Sequence, residues 1–317
     1  EGVTTSVRTG VGETDKFQVK VGLHQGSVLS PYLFSLVLDQ ITAKLQGSIP
    51  WCLMYADDVV LVGNSERDLE QKLEQWRQAL EEKGLKLSRT KTEYLQCSFK
   101  DGVTTNKMVS LDGELIVKSN SFKYLGSVLQ SNGEIDGDAC SRIRAGWMKW
   151  KEASGVLCDR KIPMKLRGKF YKTAIRPAMM YGTECWAMKK KEEQRMHVAE
   201  MRMFRWMSGV TKKDKIKNEY IRGSLGVAPI DAKMREHRLR PFGHVQRRDA
   251  NHPIRRIAEV QIPGRSRRGR PKKTWGETIR WDMLVKGINI DMTQDRIVWR
   301  NAIREGSRPR IGIRQRG

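Results

Sequence analysis

The fold is decided by one stretch of the chain, Trp51-Cys52-Leu53-Met54-Tyr55-Ala56-Asp57-Asp58-Val59-Val60-Leu61-Val62. Two adjacent carboxylates lie between two short runs rich in Leu, Met and Val. Such runs are typical of buried β-strands, so the pattern predicts a β-hairpin with Tyr55-Ala-Asp-Asp at or near its turn. Burying two ionised carboxylates beside an apolar hairpin would cost several kcal/mol each unless a cation compensates them. Hard oxygen ligands on a rigid turn suit Mg²⁺, which keeps several waters and binds substrate phosphates.

The tetrapeptide alone leaves two interpretations open. In the first, Asp57 and Asp58 bind metal for phosphoryl or nucleotidyl transfer, because a metal ion can stabilise both the attacking and the leaving oxygen. In the second, they form a solvated turn between two strands, since Asp is a good turn former for reasons unrelated to chemistry. The flanking segments decide between the two.

The N-terminal flank predicts a ribbon, a glycine loop and a helix. Residues 3–21 alternate weakly, which suits a two-stranded ribbon. In the loop that follows, glycines permit close backbone approach, and Gln25 could contact a nucleotide. The alternative is an ordinary strand-to-helix connection. Ser30 as N-cap and Pro31 in the first turn predict a helix over about 31–45.

The C-terminal flank predicts a further helix and several short strands. The helix starts after Ser65, with Asp68 completing a partial capping box, and ends at Gly84. Its apolar stripe includes Trp76, which we interpret as a core residue. Short strands are expected near 85–87, 93–95, 109–111, 115–117 and 121–126.

From about residue 137 the pattern becomes helical. Pro163 begins one predicted helix, Pro177 breaks it, and 189–208 forms another. The Trp and Met stripes of this region are interpreted as helix-packing core. Around 209–232, glycines and lysines interrupt the pattern and indicate a boundary. Two short amphipathic helices are predicted near the C-terminus, through Trp275 and Ile297 respectively.

Charge is distributed unevenly along the 317 residues, whose net charge is +24. Residues 1–100 carry 12 of the 60 Lys/Arg and 13 of the 36 Asp/Glu, so residues 101–317 carry 48 against 23. The nearly neutral N-terminal part and the strongly basic C-terminal part indicate that residues 101–317 bind a polyanionic partner. Nucleic acid is favoured over a membrane surface, because no long basic amphipathic helix with a clean apolar face is present.

The segment 264–273 is the most basic, with six cationic residues in ten. It contains nothing apolar for a core, so we expect an exposed or disordered arm that neutralises phosphates. Its centre, Arg268-Gly269-Arg270-Pro271, resembles the core of an AT-hook, and the same composition fits a nuclear-localisation signal. The candidate nucleic-acid-binding residues are Arg265, Arg267, Arg268, Arg270, Lys272 and Lys273.

The cysteines and the hydropathy of the sequence indicate the cellular compartment of the protein. Five cysteines are scattered singly, which is typical of reduced intracellular thiols rather than of a disulfide framework or a zinc site. No run has the length and apolarity of a signal peptide or a membrane span. We expect a protein of the nucleus and cytoplasm, without a membrane partner.

Taken in order, the motifs are more specific than each is alone. They resemble consecutive palm motifs of reverse transcriptases. The motifs are Gly-Leu-His-Gln-Gly-Ser and Leu-Ser-Pro-Tyr-Leu-Phe within 22–34, Tyr-Ala-Asp-Asp at 55–58, Gly-Leu-Lys-Leu-Ser-Arg-Thr-Lys-Thr at 84–92 and Phe-Lys-Tyr-Leu-Gly at 122–126. Ala56 between Tyr55 and Asp57, and the run Gly-Arg-Pro-Lys-Lys-Thr-Trp at 269–275, resemble those of non-LTR (LINE-type) retrotransposons of an RTE-like clade. The resemblance covers about residues 17–130 and is looser for 137–317.

This resemblance implies catalytic roles for three residues. Asp57 and Asp58 would be the carboxylates that bind Mg²⁺. Lys91 would lie near the leaving pyrophosphate, where a cation or general acid stabilises developing charge. Ser88 departs from the family pattern, because many relatives have Asn there, and this leaves the hydrogen bonding of that turn open.

The resemblance also implies substrate contacts. Gln25 and Gly26 match the loop that contacts the template base and incoming nucleotide, and Tyr55 would lie beside the primer end. Phe122 to Gly126 match the primer-grip hairpin. The partners implied are an RNA template, a DNA primer or target, and deoxynucleotide triphosphates.

One motif of such polymerases is not found. They take a further metal-binding aspartate from a strand upstream of the glutamine-glycine loop, and nothing before Phe17 fits it, because Asp15 lies in a polar segment. The chain therefore resembles the C-terminal half of a polymerase region with its tail, and we expect it to be inactive alone. The alternative is a non-catalytic remnant that binds DNA or RNA through its basic C-terminal region.

The expected fold class is α+β. A partial palm, with an antiparallel sheet and helices, would occupy residues 1–130. A helical, thumb-like region would span 131–210, and a basic, partly disordered nucleic-acid-binding region would span 211–317.

Overall fold

The computed structural model describes residues 4–18, 22, 26–47, 51–97, 108–258 and 271–304. Gln25 and most of the basic arm lie outside these residues. The arm residues concerned are Arg265, Arg267, Arg268 and Arg270. Its expected disorder and its AT-hook-like centre are therefore outside the described structure as well.

The described residues contain short strands arranged in two-stranded sheets. The strands are β1 (Thr4–Thr5), β2 (Arg8–Thr9), β3 (Gly12–Glu13), β4 (Phe17–Gln18), β5 (Cys52–Tyr55), β6 (Asp58–Leu61), β7 (Tyr94–Leu95), β8 (Ser110–Leu111), β9 (Glu114–Leu115), β10 (Lys118–Ser119), β11 (Ser121–Tyr124) and β12 (Ser127–Gln130). β1 pairs antiparallel with β4, and β2 with β3. This confirms the ribbon predicted near the N-terminus.

Helices make up most of the remaining described structure. They are α1 (Ser30–Thr42), α2 (Glu66–Glu81), α3 (Asp136–Glu152), α4 (Ser154–Leu157), α5 (Met164–Phe170), α6 (Arg176–Met180), α7 (Lys190–Ser208), α8 (Asn218–Leu225), α9 (Ile230–Gln246), α10 (Pro253–Ala258), α11 (Trp275–Lys286) and α12 (Arg296–Ile303). A π-helical turn, Tyr171–Ile175, joins α5 to α6. The α+β class is confirmed. In the part of the chain that the structure describes, no sheet has more than two strands.

The chain divides into two compact units. One comprises Glu1–Tyr94 with Asn106–Val117, and the other Leu95–Thr105 with Lys118–Gly317. The boundaries predicted at residues 130 and 210 separate functional regions implied by the family resemblance, whereas these two units are defined by compactness. Those boundaries stay predictions. None of the described helices is both long and apolar enough to cross a membrane.

The first unit is built on α2. Ser65 caps this helix by accepting a hydrogen bond from the Asp68 amide, 3.2 Å away, as predicted. One side of α2 places Trp76 and Leu80 in a core with Leu38 of α1 and the β5–β6 hairpin. The other side packs against the β8–β9 hairpin, where Glu70 accepts a 2.8 Å hydrogen bond from the Ser110 amide. Hydrogen bonds from Ser110 hold the pKa of the Glu70 carboxyl below its usual range.

The second unit has a helical core that continues across residue 210. Its buried members come from α3, the segment 164–180, α7 and the helices that follow, including Tyr171, Met203, Phe204, Leu225 and Ile230. A smaller cluster joins α9, α11 and α12 around Trp299. The Met and Trp stripes are therefore core, as predicted.

Three local predictions are corrected. Helix α1 begins at Ser30 itself and its N-cap is Leu29, although Pro31 does lie in the first turn. Residues 85–87 form no strand. Pro177 does not break the helical path, because it lies in the first turn of α6, where a missing N–H is tolerated, and the π-helical turn carries the chain into that helix.

Candidate active site

The β5–β6 hairpin brings Tyr55, Asp57 and Asp58 to one tip. Tyr55 pairs with Asp58, so Ala56 and Asp57 form a two-residue loop. Two-residue hairpin loops need a positive φ at their first central residue, and Ala56 has φ +52°. A positive φ is unfavourable for a residue with a Cβ, so the surrounding structure must hold this turn in place. The predicted hairpin is confirmed.

Alternation of the strands separates an anchored face from an exposed tip. Cys52 pairs with Leu61 and Met54 with Val59, and these four side chains join the core of α1 and α2. Tyr55, Asp57 and Asp58 are exposed, and Tyr55 retains 63% of its accessible surface. The carboxylates of Asp57 and Asp58 are therefore solvated and not buried beside the hairpin. The four core side chains face the helices, and the two carboxylates project into solvent.

Lys72 of α2 holds the base of the hairpin. Its ammonium group donates a 3.2 Å hydrogen bond to the Val62 carbonyl and lies 5.5 Å from the centroid of the Trp51 ring. Val62 in turn donates a 2.9 Å hydrogen bond to the Trp51 carbonyl, which closes the hairpin. Lys72 also donates to Asp68, and this contact holds the pKa of the Asp68 carboxyl below its usual range. Lys72 is thus a positioning residue that sequence analysis missed.

The donor chemistry of the tip fits a hard divalent cation. Mg²⁺ is typically bound by one or two carboxylates together with waters and substrate phosphates. Asp57 and Asp58 supply two such carboxylates, and within the described residues neither forms a hydrogen bond or ion pair that would occupy it. Among those residues, no cluster of three or more His, Cys, Asp or Glu could hold a metal ion. The tip therefore offers a partial ligand set, open to ligands from elsewhere.

The glycine loop before α1 is described only in part. Gly26 has φ +90°, a conformation that favours glycine and explains why this residue type is needed there. Ser27 accepts a 3.3 Å hydrogen bond from the Leu29 amide just before α1.

Lys91 lies in a separate turn of the same unit. The Ser88 carbonyl accepts hydrogen bonds from the amides of Lys91 (3.1 Å) and Thr92 (3.0 Å) and from the Thr92 hydroxyl (2.9 Å). Backbone groups thus hold the turn where Ser88 departs from the family pattern. The Lys91 ammonium group is exposed and makes no contact with the Asp57-Asp58 turn within the described residues.

The predicted primer-grip hairpin is β11–β12, in the second unit. Phe122 is half-buried and pairs with Leu129, and the loop between the strands is Leu125-Gly126. Both loop residues have positive φ, +47° and +80°. This is the pattern of a type I′ turn, in which a leucine is unusual.

The helical core clamps this loop in place. Arg142 of α3 donates hydrogen bonds to the Gly126 carbonyl and to the Ser127 hydroxyl, the latter at 2.9 Å. The Tyr181 hydroxyl donates a 3.0 Å hydrogen bond to the Leu125 carbonyl, and its ring lies 4.7 Å from the Arg142 guanidinium. The contacts compensate the strained turn, and no sequence motif indicated them.

Asp138 extends the clamp to the second strand. Its carboxylate is 2% exposed and accepts hydrogen bonds from the Val128 amide (3.0 Å) and the Trp186 indole (2.9 Å). A charged group this deeply buried in a helix near a hairpin needs such donors. Asp138 therefore fixes the position of the hairpin relative to α3.

Two of the candidate nucleic-acid-binding lysines of the basic arm, Lys272 and Lys273, fall within the described structure. The Lys272 ammonium group donates to the Asn132 carbonyl, 2.6 Å away, and pairs with Glu134 at 3.7 Å. The Lys273 ammonium group donates to the Met188 carbonyl, 2.8 Å away. Both ammonium groups thus bind backbone carbonyls of other segments of the second unit, to which the lysines themselves belong.

Comparison with known proteins shows what the N-terminal part of the chain is similar to. Residues 4–129 match the family described as reverse transcriptase (RNA-dependent DNA polymerase). The chain is 27% identical to the Pol polyprotein of the type-1 retrotransposable element R2 of Popillia japonica, over 57% of this chain and 31% of that protein. It is 24% identical to the RNA-directed DNA polymerase of the mobile element jockey of Drosophila funebris, over 60% of this chain and 22% of that protein.

Residues 4–129 therefore resemble a reverse transcriptase, and the R2 and jockey relatives support the non-LTR retrotransposon type. The chain spans about a third of the length of the R2 relative. A transposon-derived protein of Caenorhabditis elegans is similar over most of both chains, with 22% identity over 80% of this chain and 95% of that protein. The narrower RTE-like placement stays a prediction.

The reverse transcriptase segment yields a prediction at Lys72. Lys72→Met keeps the aliphatic stem but removes the hydrogen bond to Val62 and the contact with Trp51, at a cost of about 1 kcal/mol. We expect amide hydrogen exchange of Val59 to Val62 to accelerate by roughly fivefold. Lys83→Met, at an exposed lysine past the end of α2, is the control. Equal exchange in the two variants would rule out a positioning role for Lys72.

Proposed function

We propose that this chain carries the catalytic hairpin of an RNA-directed DNA polymerase that extends a DNA primer with deoxynucleotides on an RNA template. One observation carries the proposal. A segment that matches the reverse transcriptase family presents two adjacent, exposed carboxylates at the tip of a hairpin packed against α1 and α2, and neither is paired within the described residues.

Asp57 and Asp58 are the proposed metal ligands, and Mg²⁺ is the proposed ion. A divalent cation there supplies charge stabilisation for the attacking and leaving oxygens of nucleotidyl transfer. The chain's own residues position the reactants. Tyr55 lies beside the primer end on the exposed face of β5, and Lys91 stabilises the departing pyrophosphate. Lys72 holds the hairpin tip in position through its hydrogen bond to the Val62 carbonyl at the hairpin base.

Template and primer contacts are assigned to the remaining motifs. Gln25 and Gly26 contact the template base and incoming nucleotide. Phe122 to Gly126 form the primer grip, and the clamp of Asp138, Arg142 and Tyr181 gives that hairpin a fixed shape. Residues 1–130 would then form part of a palm, 131–210 a thumb and 211–317 a nucleic-acid-binding region. A nuclear and cytoplasmic location belongs to the same proposal.

The second candidate is a nucleic-acid-binding protein without catalysis. The charge distribution favours it, because residues 101–317 carry the whole positive excess. Binding by such a protein would depend on phosphate neutralisation and not on the two carboxylates.

Primer extension separates the two candidates. The chain is assayed alone and in the context of its complete reading frame, with a primed RNA template, deoxynucleotides and Mg²⁺. We expect template-dependent extension by the complete protein and none by the isolated chain. Binding of the primed template without extension by the complete protein would support the non-catalytic candidate instead.

A further inference from the structure

The segment between α7 and α8 is a lysine-rich loop with a defined structure. Four lysines lie within six residues, Lys212, Lys213, Lys215 and Lys217, and all are exposed. The sequence pattern of this region indicates a boundary between domains. In the structure it is a compact loop of the second unit.

Local contacts give the loop its shape. Val210 and Ile216 pack against the helical core at its two ends. Between them, the Asp214 carboxylate accepts hydrogen bonds from the Thr211 amide (2.6 Å) and the Thr211 hydroxyl (2.9 Å). These bonds hold the pKa of Asp214 below its usual range. Lys215 has φ +51°, which this closed turn imposes.

The four ammonium groups are available to a ligand. Within the described residues none of them forms a hydrogen bond or an ion pair. The carboxylates nearest in sequence are Asp214, which is turned toward Thr211, and the exposed Glu219. Four exposed cations at one loop attract a chain of phosphates, and releasing its condensed counterions favours binding.

Two exposed aromatic side chains flank the lysines. Trp206 is 67% exposed and Tyr220 is 74% exposed. Gly209 donates a 3.1 Å hydrogen bond to the Trp206 carbonyl, so this tryptophan lies where the loop begins, and Tyr220 lies in the first turn of α8. The Trp206 ring meets Trp150 edge-on, with centroids 6.0 Å apart and an interplanar angle of 79°. One contact thus orients the ring and leaves most of it open.

Proteins that bind single-stranded nucleic acid combine basic groups, which contact its phosphate backbone, with exposed aromatic rings, on which its bases stack. An unpaired base exposes its π-face and can stack on an aromatic side chain, whatever its identity. A base inside a duplex cannot, because both of its faces are covered by neighbouring bases. We propose that Lys212, Lys213, Lys215 and Lys217, with Trp206 and Tyr220, form a binding site for single-stranded nucleic acid. The proposal concerns binding alone and does not require polymerase activity.

The test is fluorescence anisotropy of the full chain with a labelled single strand and a duplex of equal length, over a range of salt. One variant changes the four loop lysines to Gln. Its control changes Lys165, Lys169, Lys190 and Lys191 to Gln, four exposed lysines of the same unit without side-chain partners within the described residues. Both variants lose the same charge, so they differ only in where it is lost.

We expect the loop variant to bind the single strand at least about tenfold more weakly, with a salt slope reduced by ~0.7 for each phosphate that is no longer neutralised. The control should change much less. Tyr220→Ala, at a side chain too exposed to affect folding, should weaken single-strand binding by roughly fivefold or more and leave duplex binding unchanged. Equal effects of the two lysine variants would overturn the proposal. So would equal losses for strand and duplex, or loop-dependent binding only to anionic lipid vesicles.

Discussion

Asp57→Asn should abolish primer extension by the complete protein. The substitution keeps the size and shape of the side chain but removes a negative charge from the proposed metal site. Charge stabilisation by the metal ion is worth several kcal/mol, so we expect a rate loss of at least about a thousandfold. Asp57 is exposed at the hairpin tip, and its replacement leaves the packed face of β5–β6 untouched. The loss should therefore appear in the extension rate and not in thermal stability.

Asp15→Asn is the matched control for this experiment. Asp15 is also an exposed aspartate of the first unit and lies outside the strands. We expect it to extend primers at the unaltered rate. Both variants should bind a primed template as the unaltered protein does, because phosphate contacts are assigned to basic residues. Mg²⁺-dependent extension by Asp57→Asn at an undiminished rate would remove the catalytic assignment.

Glu200→Gln should cause the largest loss of stability. Glu200 is fully buried in α7 and pairs with two arginines, Arg176 at 2.6 Å and Arg222 at 2.5 Å. The Tyr171 hydroxyl also donates to it, and burial raises the pKa of Tyr171, so this hydroxyl stays protonated. Removing one partner of a buried ion pair leaves uncompensated charge, which typically costs about 3–5 kcal/mol.

Urea denaturation monitored by circular dichroism measures this effect. Glu152→Gln is the control, because Glu152 pairs with Lys149 at 2.8 Å on the surface, where an ion pair contributes at most about 1 kcal/mol. We expect a large fall in the denaturation midpoint for Glu200→Gln and almost none for Glu152→Gln. Similar midpoints would mean that this network does not stabilise the second unit.

Local features of the fold were predictable from the sequence. The β5–β6 hairpin follows from two apolar runs around a turn, and α2 follows from Ser65 and its apolar stripe, because these signals act within a few residues. The N-terminus of α1 shows that a prediction from residue type alone can be wrong. Ser30 is a good N-cap by type, but the helix starts at Ser30 itself and no side chain caps it.

Features that join distant parts of the chain were not predictable. Tyr181 reaches the Leu125 carbonyl across 56 residues, and Trp186 reaches Asp138 across 48. The sequence shows only an ordinary Tyr, Trp and Asp at these positions. Their roles arise from packing that brings α3 against β12, and such packing leaves no periodic signal.

The lysine loop illustrates a third case, in which composition does not reveal local structure. Lysines and glycines around 209–217 are typical of a linker, because they are polar and interrupt helical periodicity. The two apolar residues that anchor the loop, Val210 and Ile216, are too few to form a pattern. Only their burial distinguishes a structured loop from a linker.

The central claim is that the Asp57-Asp58 tip binds a divalent metal ion, and metal-directed cleavage tests it most directly. The chain is incubated with Fe²⁺ instead of Mg²⁺, ascorbate and peroxide generate radicals wherever Fe²⁺ binds, and mass spectrometry maps the backbone cuts. We predict cuts clustered between Tyr55 and Val59, suppressed by excess Mg²⁺ and absent from a variant with both Asp57→Asn and Asp58→Asn. Cuts that persist unchanged in this double variant, or that occur only elsewhere in the chain, would contradict the claim.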